Sequence, residues 1–195
     1  MQGKGWAAIG ADSRATDNGR IYSLARGTRK VFRNREYLFG IAGDVRAINI
    51  LQHVFIPPSA KNKTGRALDQ LITKEFIPAL RICFEEQGYF DHVETEDSNS
   101  AAANTDSTIV VLVNGTIFQI DGNYAWSRES SGFYTEGTGS EYAIGALHAL
   151  LSSKDEIDPE TAKAVVRQVL VIAAKLDGGT AGPFIIAAQL APEAT

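Results

Sequence analysis

Few residues of this 195-residue chain stand at a spacing that dictates a chemistry without further context. Gly137-Thr138-Gly139-Ser140 precedes a run of helical periodicity, so it reads either as an anion-holding turn at a helix N-terminus or as a plain cap by Ser140. It lacks the lysine of a phosphate loop. His53, His92 and His148 have no metal-ligand spacing, and no His-Glu-x-x-His helix or nucleophile elbow occurs, so no metal and no cofactor is expected. Asp12 and Lys30 fall on neighbouring predicted strands, where such a pair is ordinarily a surface ion pair worth under about 1 kcal/mol. Asp177 follows a helix and is ordinarily a polar terminal residue. Cys83, the one cysteine, excludes an intramolecular disulfide and any multi-cysteine metal site, and its helical position turns it to the core as a small hydrophobe.

The elements that must carry these residues follow from periodicity. Trp6–Ile9 reads as a short strand ending at the polar corner Gly10–Arg14, and Gly27–Phe32 and Tyr37–Ala42 as two more. From Asp44 the apolar spacing becomes helical through Val45, Ile48, Leu51 and Phe55, with Asp44 as cap and Pro57-Pro58 as stop. A second helix opens near Thr64 and must kink or split at Pro78. Strands return at Thr108–Val113, Thr116–Ile120 and Tyr124–Trp126, separated by the hairpin signals Asn114-Gly115 and Asp121-Gly122. Two helices, Glu141–Ser152 and Pro159–Lys175, and a last strand, Pro183–Ala188, complete the chain. Helix pairs between blocks of antiparallel strands imply two stacked sheets with helices outside each, an α/β four-layer α/β/β/α sandwich.

Composition bounds the rest. One domain over 1–195 fits the length, interrupted by an acidic, small-residue segment at Glu94–Ser107 that reads as a mobile surface insertion. Nineteen basic against 23 acidic residues leave a net charge of −4, so no global field draws nucleic acid. No signal peptide or apolar run of membrane-spanning length is visible, and a cytoplasmic protein with no membrane partner is expected.

Five motifs in order carry a resemblance: Gly10-Ala-Asp12-Ser-Arg-Ala-Thr16, Arg29-Lys30-Val31, Gly40-Ile-Ala-Gly43, Gly137-Thr-Gly-Ser140-Glu-Tyr-Ala, and Lys175-Leu-Asp177-Gly-Gly-Thr180. Together they span nearly the whole chain, which resembles proteasome β-type subunits and the related bacterial protease ring fed by an ATP-driven unfoldase. The resemblance implies an N-terminal nucleophile hydrolase sandwich and a homo-oligomeric ring that hydrolyses unfolded polypeptide. It implies a threonine hydroxyl as nucleophile, with that residue's own α-amine as base. Lys30 would be the cation beside the amine, Asp12 would hold Lys30, and the Gly43 N–H would donate to the oxyanion. Ser140, Asp177 and Thr180 would orient the N-terminus, with Thr180 where the family more often has Ser and Ala181 where it commonly has Gly. Ile41 and Val45 would line the specificity pocket, which suits an apolar residue on the acyl side of the scissile bond.

Counting back from Asp12 by the family's spacing puts the threonine about five residues before Met1, roughly 16 Å of extended strand. Met1 falls where the family has an apolar strand residue, often Val, and GTG can encode that Val or be read as a start. Two readings follow. In one the nucleophile precedes Met1 in the full gene product; in the other the chain is a catalytically inactive ring subunit kept for assembly. An amidohydrolase of the same superfamily acting on small amides fits the Gly-Thr-Gly-Ser and Asp-x-x-Thr motifs less well.

Overall fold

The computed structural model describes residues 1–17, 19–89, 91–92, 103–151 and 156–192. Its strands are β1 (Gln2–Gly3), β2 (Trp6–Ala11), β3 (Arg14–Asp17), β4 (Arg20–Ser23), β5 (Val31–Asn34), β6 (Tyr37–Ala42), β7 (Asp91–His92), β8 (Ala103–Asn104), β9 (Thr108–Val113), β10 (Thr116–Ile120), β11 (Trp126–Ser127) and β12 (Ile185–Leu190). Helices α1 (Val45–His53), α2 (Gly65–Leu71) and α3 (Ile77–Glu86) follow β6, and α4 (Ser140–Leu151) and α5 (Pro159–Leu176) lie between β11 and β12. One antiparallel sheet runs β11-β10-β9-β6-β5 and a second runs β1-β2-β12, with two small ribbons, β3-β4 and β7-β8.

Strand alternation sorts the core into layers. In β9 the odd residues Ile109, Val111 and Val113 join Tyr37, Phe39 and Ile41 of β6 and Phe118 and Ile120 of β10 beneath α1–α3. The even residues Val110 and Leu112 meet Leu38, Ile117 and Ala7 between the two sheets. Trp6 and Ala8 of β2 face the other way, onto Leu147 of α4 and Val165, Val166 and Val169 of α5. The order is therefore α1–α3, five-stranded sheet, three-stranded sheet, α4–α5: the four-layer α/β/β/α sandwich that the element order implies. Aromatic rings dominate the first layer, with Phe76 packed against Tyr37, Phe39 and Phe55 at centroid distances of 5.2 to 6.2 Å. Each such burial removes about 1.5–3 kcal/mol worth of apolar surface from water.

Local signals place most boundaries. Asp44 caps α1 by accepting from the Arg46 N–H, and Asp158 caps α5 by accepting from Glu160 and Thr161. Asn114 and Gly115, both at positive φ, make the two-residue turn between β9 and β10. Cys83 is half-buried against the first core layer, where burial first and Glu86 second push its thiol pKa up.

Several expectations need correction. The second helix is divided ahead of Pro78, as its proline requires, but by a device the spacing does not show: a π-helical turn, Ile72–Phe76, joins α2 to α3, and Pro78 sits in the first turn of α3. Asp121-Gly122 does not close a two-residue hairpin; Asp121–Ala125 form a longer turn in which the Asp121 N–H bonds Ala125 O. The strand expected at Gly27–Phe32 begins at Val31, and the polar corner after β2 contains the β3-β4 ribbon. Most of the Glu94–Ser107 insertion lies outside the described residues, but its end is no surface loop, since Ser107 is buried. Among the described residues no helix is long and apolar enough to cross a membrane.

Candidate active site

Asp12 stands at the C-terminal end of β2 and is only 8% exposed. A carboxylate at that depth needs partners, and it has three. Oδ1 accepts from Lys30 Nζ at 2.6 Å; Oδ2 accepts from the N–H of Arg14 at 2.8 Å and of Ala181 at 3.1 Å. Lys30, immediately before β5, is thereby aimed along the end of β2, with its side chain 23% exposed.

A second carboxylate lies where α5 ends. Asp177 Oδ2 accepts from Thr180 Oγ1 at 2.6 Å and from Thr138 Oγ1 at 2.7 Å, and Oδ1 from the Gly179 N–H at 3.1 Å. The threonine hydroxyls, Thr180 first, hold its pKa below the ordinary carboxylate value. The two turns interlock through their glycines. A Cβ on Gly139 would sit 2.6 Å from Thr180 Oγ1, and one on Gly179 would sit 2.4 Å from Thr138 Oγ1. The 177–181 segment then joins the two carboxylates: Ala181 bonds Asp12, and the Arg14 guanidinium donates to Gly178 O.

Gly43, between β6 and α1, has φ +120° and no hydrogen-bond partner for its N–H among the described residues. A non-glycine residue is strained there, because its Cβ would lie 2.2 Å from Asp106 O and the backbone would have to shift. The expected Asp12, Lys30, Gly43, Asp177 and Thr180 all border one cleft of about 640 Å³ or bond directly to its walls, and Ile41 and Val45 line it too. Ser140 is the exception. As the first residue of α4 it takes no part in the Asp177 network, and the hydroxyl that does belongs to Thr138, two residues earlier. Thr138 is the member of this network that sequence reasoning missed; its place between two glycines was the available signal. Glu136, which also lines the cleft, has its pKa raised by burial and then by Asp121.

Met1 lines the cleft and is 7% exposed. Its amine donates to Ala8 O at 2.8 Å and its carbonyl accepts from Ala8 N at 2.9 Å, continuing the β1-β2 ladder. Burial lowers the amine pKa to about 5. Beyond Ala8, residues Ile9–Ala11 pair with β12 on one flank, and no described strand covers the other.

By sequence the chain matches no protein-family profile and no curated protein. By structure it is similar to BPH of Thiobacillus denitrificans, at 21% identity over 100% of this chain and 97% of that one, with a TM-score of 0.73. The same protein in complex with epoxomicin gives a TM-score of 0.72 at 21% identity, covering 98% and 96% of the two chains. Eukaryotic HslV from Trypanosoma brucei gives 0.60 at 19% identity, covering 96% and 95%. The chain therefore shares the four-layer α/β/β/α fold of BPH and HslV. Within that fold the similarity runs end to end through BPH and HslV, so it covers the whole domain and not one motif.

Proposed function

We propose that the chain is a subunit of a proteasome-like, threonine-type endopeptidase, and that its nucleophile is the fifth residue before Met1. The observation that carries this is the register at Met1. Met1 faces Ala8, so each earlier residue faces one later residue of the neighbouring strand, and the fifth faces Ser13, beside Asp12 and Lys30. The uncovered flank of Ile9–Ala11 and the cleft alongside it supply the room.

The chemistry then runs on this chain's own groups. The threonine hydroxyl attacks the scissile carbonyl carbon, and its proton passes to the α-amine of the same residue. Lys30, fixed by Asp12, disfavours a second positive charge nearby and so keeps that amine a base at neutral pH. The carbonyl oxygen becomes an oxyanion and takes the Gly43 N–H. Collapse breaks the C–N bond as the leaving amine recovers the proton, and water, deprotonated by the same α-amine, then hydrolyses the ester. The Thr138–Asp177–Thr180 network stands next to the amine and orients it. Ile41 and Val45 make the wall for an apolar side chain of the substrate. A homo-oligomeric ring, an unfolded polypeptide substrate, a partner ATPase unfoldase and a cytoplasmic setting belong to the same reading, which the five ordered motifs support and with which the fold shared with BPH and HslV agrees.

The test compares three proteins: the chain from Met1, the chain extended by five residues to a first Thr, and the same extension with Ala in its place. Only the Thr form should cleave a fluorogenic peptide with an apolar residue before the scissile bond. Equal turnover in all three, or none in any, rejects the proposal, and the latter favours an inactive assembly subunit. Fastest cleavage after Arg or Asp rejects the pocket assignment, and a monomer by native mass measurement rejects the ring.

A further inference from the structure

The segment leading into β9 is built into the corner that holds Gly43. A Cβ on Gly43 would meet not only Asp106 O but Ser107 Oγ at 2.7 Å and Ser107 Cα at 2.8 Å, so the glycine backbone lies directly on the Asp106–Ser107 backbone. Ser107 is 4% exposed, and its Oγ accepts from the Asp44 N–H at 3.0 Å. The same Oγ lies 2.9 Å from the Tyr89 hydroxyl. A serine hydroxyl has one proton and two lone pairs, so it serves both bonds at once.

Tyr89 is itself braced from three sides. Its ring meets Phe84 edge-on at 5.0 Å, the Arg46 guanidinium lies 6.0 Å over its face, and its N–H donates to Phe84 O at 2.8 Å. A buried chain of contacts thus runs from the end of α3 through Tyr89 and Ser107 to the peptide on the C-terminal side of Gly43.

That peptide matters because φ and ψ of Gly43 are the only soft torsions between two planes. The Ala42–Thr108 pair at the end of the β6-β9 ladder restrains the plane bearing the Gly43 N–H. The Ser107 hydroxyl restrains the plane bearing the Asp44 N–H. With both held, φ stays at +120° and the Gly43 N–H keeps its aim; with the second released, a glycine is the residue most free to turn away.

We propose that Ser107, braced by Tyr89, is a positioning residue that aims the Gly43 N–H at the developing oxyanion. The proposal rests on the peptidase reading above and deepens it. Its test uses the extended, Thr-led protein as parent, with Ser107→Ala, Tyr89→Phe and, as a packing control on the same strand entrance, Ile109→Val. Ser107→Ala should lower kcat about ten- to a hundredfold with KM unchanged, short of the ~10²–10³ cost of deleting an oxyanion donor outright. Tyr89→Phe, which leaves the Ser107–Asp44 bond intact, should lower kcat about three- to tenfold. Amide hydrogen exchange at Asp44 should quicken in Ser107→Ala and stay at the parent rate in Ile109→Val, whose kcat should also match the parent. An active parent with unchanged kcat in Ser107→Ala overturns this proposal alone. So does a fall in kcat without faster exchange at Asp44, or an equal fall in Ile109→Val. A parent without turnover overturns this proposal and the peptidase reading together.

Discussion

Thr138 and Thr180 donate to one and the same oxygen of Asp177, at 2.7 and 2.6 Å, although one comes from the turn before α4 and the other from the turn after α5. Two hydroxyl donors on one oxygen stabilise the ionised carboxylate, which is why its pKa is depressed. A depressed carboxylate contributes stability that is full above its unfolded value and is lost as pH falls through its folded one. Replacing Thr138 by Val and Thr180 by Val should therefore raise the Asp177 pKa and flatten the loss of melting temperature below about pH 4. Titration of the Asp177 carboxyl by NMR checks the sign. A pKa that stays put in the double variant removes the hydroxyls as its cause.

The buried amine of Met1 gives a second pH dependence with the opposite origin. Its pKa falls to about 5 in the folded chain from 8.0, so between those values the unfolded state binds more protons and stability declines as pH is lowered. Between pH 8.5 and 5.5 the loss should be on the order of 3 kcal/mol, at about 1.4 kcal/mol per unit. Adding residues ahead of Met1 replaces the amine by an amide and should abolish this dependence. Denaturant melts of both forms at pH 8.5 and 5.5 make the comparison.

Lys30→Met should remove peptidase turnover from the Thr-led protein by about 10²–10⁴-fold, the usual range for losing control of a proton-transfer group. Stability should change less, since Asp12 keeps the N–H groups of Arg14 and Ala181. Single-turnover acylation kinetics separate the two effects. An active Lys30→Met enzyme of wild-type pH profile would leave this lysine without the role assigned to it.

Gly43→Ala places a methyl 2.2 Å from Asp106 O at a φ of +120°. Strain of this kind costs roughly 1–3 kcal/mol, and the shift needed to relieve it moves the oxyanion donor. Gly10→Ala is the control: its methyl meets Val166 at 2.5 Å on the helix side of β2, so it should lower the melting temperature while leaving the N–H of Gly43 in place. Comparable activity in the two variants at a temperature where both are folded would contradict the assignment.

Much of the fold was legible because burial on both faces forces near-continuous apolar runs, as in β6 and β9. Which face of β9 meets which layer, Val110 and Leu112 on one side and Ile109, Val111 and Val113 on the other, comes from the structure, because all five residues are apolar. The caps Asp44 and Asp158 and the Asn114-Gly115 turn are local effects, and local effects survive in sequence. The β3-β4 ribbon was not legible, since Arg14–Asp17 and Arg20–Ser23 carry mostly polar side chains at the surface. Nor was the π-helical turn, whose residues Ile72 and Phe76 keep an ordinary helical spacing. Within the site, Asp12 and Lys30 were found as types at a spacing, whereas Thr138 was passed over for Ser140. The two hydroxyls look equivalent along the chain, and only the approach of Gly179 to Thr138 distinguishes them. Ser107 lay in a stretch whose composition reads as solvated, although its side chain is buried.

The paired glycines at 139 and 179 have an evolutionary corollary. Each is the hole into which the other turn's threonine fits, so a larger residue on either side would need a simultaneous trim on its counterpart. Drift at these two loops should therefore proceed by joint replacement, and a library that randomises one while freezing the other will recover little besides the starting sequence.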